Sequence, residues 1–464
     1  MTSKRLDKVW DQLIDDLGEA RAALTDPQFH CPPSSDRNDA EGYRYLLGQL
    51  HRLIESELQQ DPDFPYFQVQ ASPTSKFTID NADCLYLYAP IKPQAYYRII
   101  AKAENFDHWR SARANDAGFY APNYVIFETH TVGPGDSGGT AELRDGSRVI
   151  TGSLDSKAIQ IDDNGDFEIL IGPSKPADYS GNFISSIAAK GSQLSRGDTA
   201  AAEMQAYKLY VRELFSDWEC ERSLELSIEQ LAIPPQKTQL ENNYPQPRQS
   251  ETTATQIEQL GLMLKNHMRY WTTMYGELLD PFGTAEQARP SHLAKNQLAS
   301  PKPASTAGGG GQASNFYAGG LFELDANQYL LIEVNTIIEP EQMGFHLSNY
   351  WGESLDYANH VSSLNALQSY CGSDGVYRYV VSKNDPAVQN WLDTTGHTSG
   401  YLTMRFTYST PPEIADYPTV AAFCVDQKTL AELLPVDTPE FTSVDRRAQI
   451  SIRKAHVARR FRQY

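Results

Sequence analysis

"CLYLYAPIKPQAYYRIIAKA", Cys84 to Ala103, sets the fold class. Its apolar residues recur with a period of two, and many are aromatic or β-branched. A proline-containing break divides it into two short runs. The same signature extends from Phe64 to about Gly172, through "NYVIFETHTV", "SRVITGSL" and "DFEILIG". "DDNGDF" between two runs reads as a hairpin turn through Asn164-Gly165. Residues 63–195 are therefore expected to form an antiparallel β-rich domain of sandwich or jelly-roll type.

On the N-terminal side the period changes. Val9, Trp10, Leu13, Ile14, Leu17, Ala20 and Leu24 recur at helical spacing, and so do Tyr43, Leu46, Leu47, Leu50, Leu53, Ile54 and Leu58. Residues 1–62 are thus expected to be a helical pair, with Gly42 a weak point in the second helix. On the C-terminal side, residues 196–280 read as connecting helices around a Pro/Gln/Asn-rich linker. The last of these, near 252–279, is expected to pack on the first pair or to form a dimer seam. "SPKPASTAGGGGQAS" makes residues 281–319 a flexible loop or lid. β signals resume in "YLLIEVNTII", "VYRYVVS", "GYLTMRFTY" and "TVAAFCV", a second β-sandwich or jelly-roll domain over 320–439. A basic amphipathic helix at 440–464 is expected to dock on the chain's own acidic surface or on a partner subunit. The fold class is α+β.

Composition limits the function classes. The 464 residues carry a formal charge of −19, which disfavours nucleic acid and anionic membrane as partners. The 26 Tyr, 18 Phe and 6 Trp are a supply of pocket-lining rings. Five scattered cysteines include no CxxC pair, which suits a reducing cytoplasm. The first residues lack a signal-peptide core, and no apolar run is long enough to span a bilayer. A cytoplasmic protein is expected.

The second half contains "HLSNYWGESLDYANHVSSLNALQSYCGSDGVYRYVVSKNDPAVQNWLDTTGHTSGYLTMRF". With Trp351, the Ser363–Asn365 triplet, Asp374-Gly375, Asn390-Trp391-Leu392 and Arg405, it resembles the bacterial family called domain of unknown function 1214. "DNADCLYLYAPIKPQAYYRI", Asp80 to Ile99, resembles that family's N-terminal segment, with Ala82 where Pro is usual, and "VRELFSDWECE" resembles a helix with an Arg and a Trp. The resemblance covers about residues 40 to 460 and implies a β-rich, two-lobed architecture. It implies no reaction.

Several motifs invite chemistry. "GPGDSGG", Gly133 to Gly139, spells the surroundings of a serine-protease nucleophile. A protease also needs a His base and an Asp orienter in fixed order, and neither stands in a matching segment. The glycines and proline suit a tight turn, at a pocket rim or elsewhere. "DDNGD" lacks calcium-loop spacing and reads as a turn. No metal-ligand spacing, phosphate loop or dinucleotide fingerprint occurs, so neither metal nor cofactor is expected. Asp80 and Asp83 are expected either at a pocket mouth beside Tyr86 or in turn-stabilising bonds.

"NWLDTTGHTSGYLTMRF" is the strongest candidate. Asp393 and His397 are close enough in sequence for a carboxylate to orient an imidazole, the side chain best suited to acid–base work near neutrality. Arg405 is a charge in an apolar strand, to bind a substrate oxygen or bridge a buried carboxylate. Tyr357 is a candidate proton donor. Asn365, Asn390, Trp391 and Trp351 are candidate ligand contacts, with a structural plug and salt bridge as the alternative. Arg212 and Trp218 read equally as core-bridging residues. The expectation is a cofactor-independent lyase, hydratase or isomerase acting on a small terpenoid, steroid or aromatic compound bearing hydroxyl or carbonyl groups. The alternatives are a non-catalytic module that binds carbohydrate or another small ligand, and a structural homo-oligomer.

Overall fold

The computed structural model describes residues 2–26, 29, 31–59, 61–110, 118–139, 149–194, 199–231, 249–274, 294–303 and 314–461. The fold is α+β and β-rich, as the sequence predicts. Helices α1 (Thr2–Ala22) and α2 (Asp36–Ile54) lead into a π-helical turn, Glu55–Gln59. Ser35 caps α2 by accepting the Asn38 N–H. Gly42 is buried within α2, where a Cβ would come 2.7 Å from the Trp351 ring. The close approach of that indole explains a glycine inside a helix.

The first lobe comprises β1 (Gln68–Ala71), β2 (Cys84–Pro90), β3 (Tyr96–Lys102), β4 (Tyr124–His130), β5 (Ile150–Asp155) and β6 (Asp166–Gly172). It continues with β7 (Asn182–Ser185), β8 (Ile187–Ala188), β9 (Met204–Gln205), β10 (Lys208–Leu214) and β11 (Glu225–Leu231). A five-stranded sheet, β1-β2-β10-β4-β5, and a four-stranded sheet, β11-β3-β6-β7, enclose one apolar core. Helix α3 (Ser250–Met274) follows.

The second lobe comprises β12 (Gln297–Leu298), β13 (Lys302–Pro303), β14 (Asn315–Glu323), β15 (Tyr329–Asn335) and β16 (Gln342–Ser348). It closes with β17 (Ser363–Asn365), β18 (Val376–Ser382), β19 (Trp391–Asp393), β20 (Ser399–Thr407) and β21 (Thr419–Val425). Its sheets run β12-β14-β20-β16-β17, with β13 also on β14, and β19-β18-β15-β21. Helices α4 (Gln427–Leu433) and α5 (Ser443–Arg460) end the described chain.

The two lobes repeat one plan. Replacing β2, β3, β4, β5, β6, β7, β10 and β11 by β14, β15, β16, β17, β18, β19, β20 and β21 turns one sheet order into the other. The parallel pair β6–β7 recurs as β18–β19. Side-chain detail repeats as well. Asn182, opening β7, exchanges hydrogen bonds with the backbone N–H and C=O of Gln160. Asn390, just before β19, does the same with Tyr370.

Four expectations need correction. The stretch from 199 to 231 is strand, not helix. Leu209 and Val211 enter the core while Tyr210 and Arg212 alternate away from it, a period of two. The first lobe therefore extends to Leu231, and α3 is the only helix described between 196 and 280. "DDNGD" is a turn, with the Asp162 carboxylate accepting the N–H groups of Asn164 and Asp166. It joins two different sheets rather than a hairpin, because β5 pairs with β4 and β6 with β3. Within the expected lid, residues 297–298 and 302–303 pair with β14, while 281–293 and 304–313 lie outside the described residues.

α3 packs on α1 and α2. This helical layer shares a core with Phe77 of the first lobe and with Tyr350, Trp351 and Tyr401 of the second. α5 docks on the chain itself, through an ion pair of Arg446 with Asp385 at 3.1 Å and through carbonyl oxygens. Arg453 donates to Tyr357 O at 2.7 Å and Arg460 to Ala82 O at 2.8 Å. Among the described residues no helix is long and apolar enough to cross a membrane.

Candidate functional site

The segment before β2 is strained and buried. Thr78 and Ile79, both β-branched, take φ of 57° and 55°, a left-handed conformation costly for such residues. This conformation is held from the second lobe: Ile79 N donates to Gly352 O at 2.8 Å, and Arg405 donates to Ile79 O. Asp80 accepts the Ser354 N–H at 2.9 Å and the Ser354 hydroxyl at 2.7 Å. Asp83 accepts from Trp218 Nε1 at 3.0 Å, Asn365 Nδ2 at 2.9 Å and Gln342 Nε2 at 3.2 Å. Burial pushes the Asp83 carboxyl above its usual range, against those donors and the nearby Arg453 and Arg460. Asp80, Asp83 and Asn365 therefore join the lobes rather than line a pocket mouth. Tyr357 is buried below Lys76, with Nζ 4.5 Å from the ring centre.

The expected Asp393–His397 pair does not form. Thr395 and Gly396 take φ of 52° and 80°, and the turn carries the imidazole away. His397 Nε2 lies 2.7 Å from Glu41 Oε1 on α2, and Asp393 Oδ2 lies 2.7 Å from His360 Nδ1. Trp391 donates to Ser382 Oγ at 3.0 Å beneath the Arg446 guanidinium. Trp351 stacks on Tyr45 and donates to Asn38 O at 2.8 Å. Asn390 holds Tyr370, as above. These residues plug loops and fasten helices.

The repeat places a different set together. On the outer face of the first large sheet, Tyr86 of β2 stands beside Arg212 of β10. On the corresponding face of the second, Tyr317 of β14 stands beside Arg405 of β20. Glu128 of β4 occupies the place that His346 of β16 takes in the second lobe. The two faces meet here: Asp83 lies against Gly344, and Tyr317 is near enough to act on the Arg212 charge.

The two centres differ in charge. Arg212 is ion-paired to the fully buried Glu128, which holds it cationic against burial. Arg405 is as deeply buried, yet its partners are neutral. Its Nη1 lies 2.9 and 3.0 Å from the two ring nitrogens of His346, and the Tyr317 ring centre lies 5.5 Å away. Among the described residues no carboxylate pairs with Arg405. Burial, then Arg405 itself, drives the His346 pKa well below its usual value, so the ring is neutral. Tyr86 and Tyr317 keep part of their surface open. The Tyr86 hydroxyl accepts the Asn81 N–H at 2.9 Å, which leaves its proton free to be donated. Beside them, burial pushes the Cys84 thiol up to about 12. Arg405 and Tyr86 were singled out in the sequence. Glu128 and Tyr317 were missed, and the missing signal was the repeat between halves.

Further along the same face lies "GPGDSGG". It is a turn after β4, with φ of 96° at Gly135 and 72° at Gly138. The Asp136 carboxylate accepts Gly133 N at 2.7 Å and lies 3.0 Å from Lys208 Nζ and 3.5 Å from His267 Nε2. His267, buried under Gly135 and beside Arg52, is pushed down to about 4, mainly by burial and next by Arg52. The Ser137 hydroxyl donates to its own loop at Gly139 O. A cleft of about 340 Å³ opens nearby, at Tyr88 and Lys208, two strand positions from Tyr86 and four from Arg212.

Neither a protein-family model nor a curated protein matches the chain. Among solved structures it is similar to an uncharacterized protein from Burkholderia cenocepacia, with TM-score 0.69 and 22% identity over 92% of this chain and 100% of that one. It is also similar to a Vibrio parahaemolyticus protein, with TM-score 0.38 and 12% identity over 88% of this chain and 100% of that one. The first likeness shows a shared two-lobed fold.

Proposed function

We propose that the protein binds a small molecule with a carboxylate or carbonyl oxygen and an apolar body, against Arg405 between the two large sheets. One observation carries this reading: Arg405 is buried with neutral partners, whereas its counterpart Arg212 has Glu128. A buried guanidinium without a counter-charge is costly, and a ligand oxyanion would relieve that cost. Tyr317 lies beside the guanidinium and Tyr86 is near enough to feel its charge, and the two rings suit an aromatic or terpenoid body. The chemistry that suits the arrangement is proton transfer next to a carbonyl, without a cofactor. Arg405 would steady the developing oxyanion and the Tyr86 hydroxyl would hydrogen-bond to it, while water takes the proton from the adjacent carbon and returns one to the shifted double bond. The resemblance to domain of unknown function 1214 fits this reading, since its segments supply both Tyr86 and Arg405.

A second reading is binding without turnover. It is favoured by the suppressed basicity of His346 and the raised Tyr86 hydroxyl, which leave these groups without titration near neutrality. The test is a thermal-shift and calorimetric screen of aromatic and terpenoid carboxylic acids and ketones. Arg405→Met should weaken binding of any ligand found by at least about tenfold, or about 1.4 kcal/mol. Unchanged affinity in that variant would remove the proposal. Product formation with a bound ketone, lost in Tyr86→Phe, separates enzyme from binding protein.

A further inference from the structure

We infer that the cleft between the π-helical turn, the ends of β2 and β10, and α3 is a separate binding site for a neutral polyhydroxylated molecule the size of one sugar ring. Its volume, about 340 Å³, lies at the lower end of ligand pockets. Its walls carry one cation and one carboxylate, and both have protein partners. Lys208 Nζ lies 3.0 Å from Asp136, and Glu57 accepts the Ser56 hydroxyl at 2.8 Å. Glu57 also acts on the Lys208 charge, so both wall charges are already engaged within the protein and neither calls for a charged ligand. Gln256 and Gln259 project from α3 into the same space. Among the described residues neither amide has a protein hydrogen-bond partner. Each offers donors and an acceptor, which is what vicinal hydroxyls require. Tyr88 and the largely exposed Tyr207 add ring surface for the apolar face of a sugar. Nothing in this argument draws on Arg405.

The test is saturation-transfer NMR on the full chain with a panel of neutral hexoses, pentoses and inositol. At least one should bind. Its affinity should fall at least about tenfold in both Tyr207→Ala and Glu57→Gln, and stay unchanged in Arg405→Met. Tyr207 is 52% exposed, so its truncation leaves the core intact. Absence of transfer from every panel member would overturn the inference. So would binding that survives both cleft variants, or tighter binding of the amino or carboxylate analogue than of its neutral parent. A ligand lost only in Arg405→Met would instead belong to the inter-sheet site.

Discussion

Arg405 and Arg212 occupy equivalent positions, and the difference between them is one neighbour. Glu128 pairs with Arg212, and His346 stands in that place beside Arg405. Glu128→Gln should therefore destabilise the protein by about 3–5 kcal/mol, because it leaves a buried guanidinium uncompensated. Urea unfolding measures this, and a change under about 1 kcal/mol would show that Arg212 finds another partner. His346→Glu should stabilise the unliganded protein and abolish ligand binding at Arg405. A charge inside the apolar run "YLTMRF" made Arg405 visible in the sequence. Glu128 was not visible, and neither was the place of His346 beside Arg405, because both depend on strand register. The Asp393–His397 proximity was real in sequence but not in space. A turn with two left-handed residues sent the imidazole to α2.

At the scale of elements, the clamp between the "GPGDSGG" turn and α3 is pH-sensitive. His267 titrates near 4 in the folded chain and near 6.5 when unfolded. Its depressed value means that unfolding takes up a proton once the pH is below about 6.5. The stability it contributes is complete above that pH and falls progressively toward pH 4, by up to about 3 kcal/mol. Asp136, held well below its usual range by Lys208 and His267 despite burial, adds a loss that begins near pH 4 and continues downward. Unfolding free energies across this range should show the slope, and His267→Gln should remove its upper part. Asn182 and Asn390 test the repeat. Replacing either with Ala should cost about 2–3 kcal/mol, since each leaves backbone groups unpaired in the same kind of loop. Unequal costs, measured by denaturation, would argue against equivalent roles. Strands with clean alternation, such as β6, were legible in sequence. β10 and β11 were not, because "KLYVREL" and "ELSIEQL" also satisfy a short helical pattern. Only the pairing of β10 between β2 and β4, and of β11 on β3, decides for strand.

At the scale of the molecule, the lobes are bound by Asp80 and Asp83, by the shared helical layer and by α5. The chain should unfold in one cooperative calorimetric transition. Asp83→Ala, which strands three donors, should lower the midpoint and separate the lobes into two transitions. A single sharp transition in that variant would place the coupling in the helices instead. Two β-rich lobes were legible from the change of period. Their sameness was not, because it lies in strand order and in scattered positions such as Asn182 and Asn390, not in a repeated string.

That sameness has a consequence for symmetry. Two identical halves meeting as a homodimer would bring the same side chains from both sides, since an isologous interface repeats every residue. Joined in one chain, the halves are free to diverge position by position. One arginine can be silenced by glutamate while the other keeps its charge beside histidine. Covalent duplication thus allows a polarised interior, neutral on one wall and electropositive on the other, which two copies of a single half-chain are barred from building.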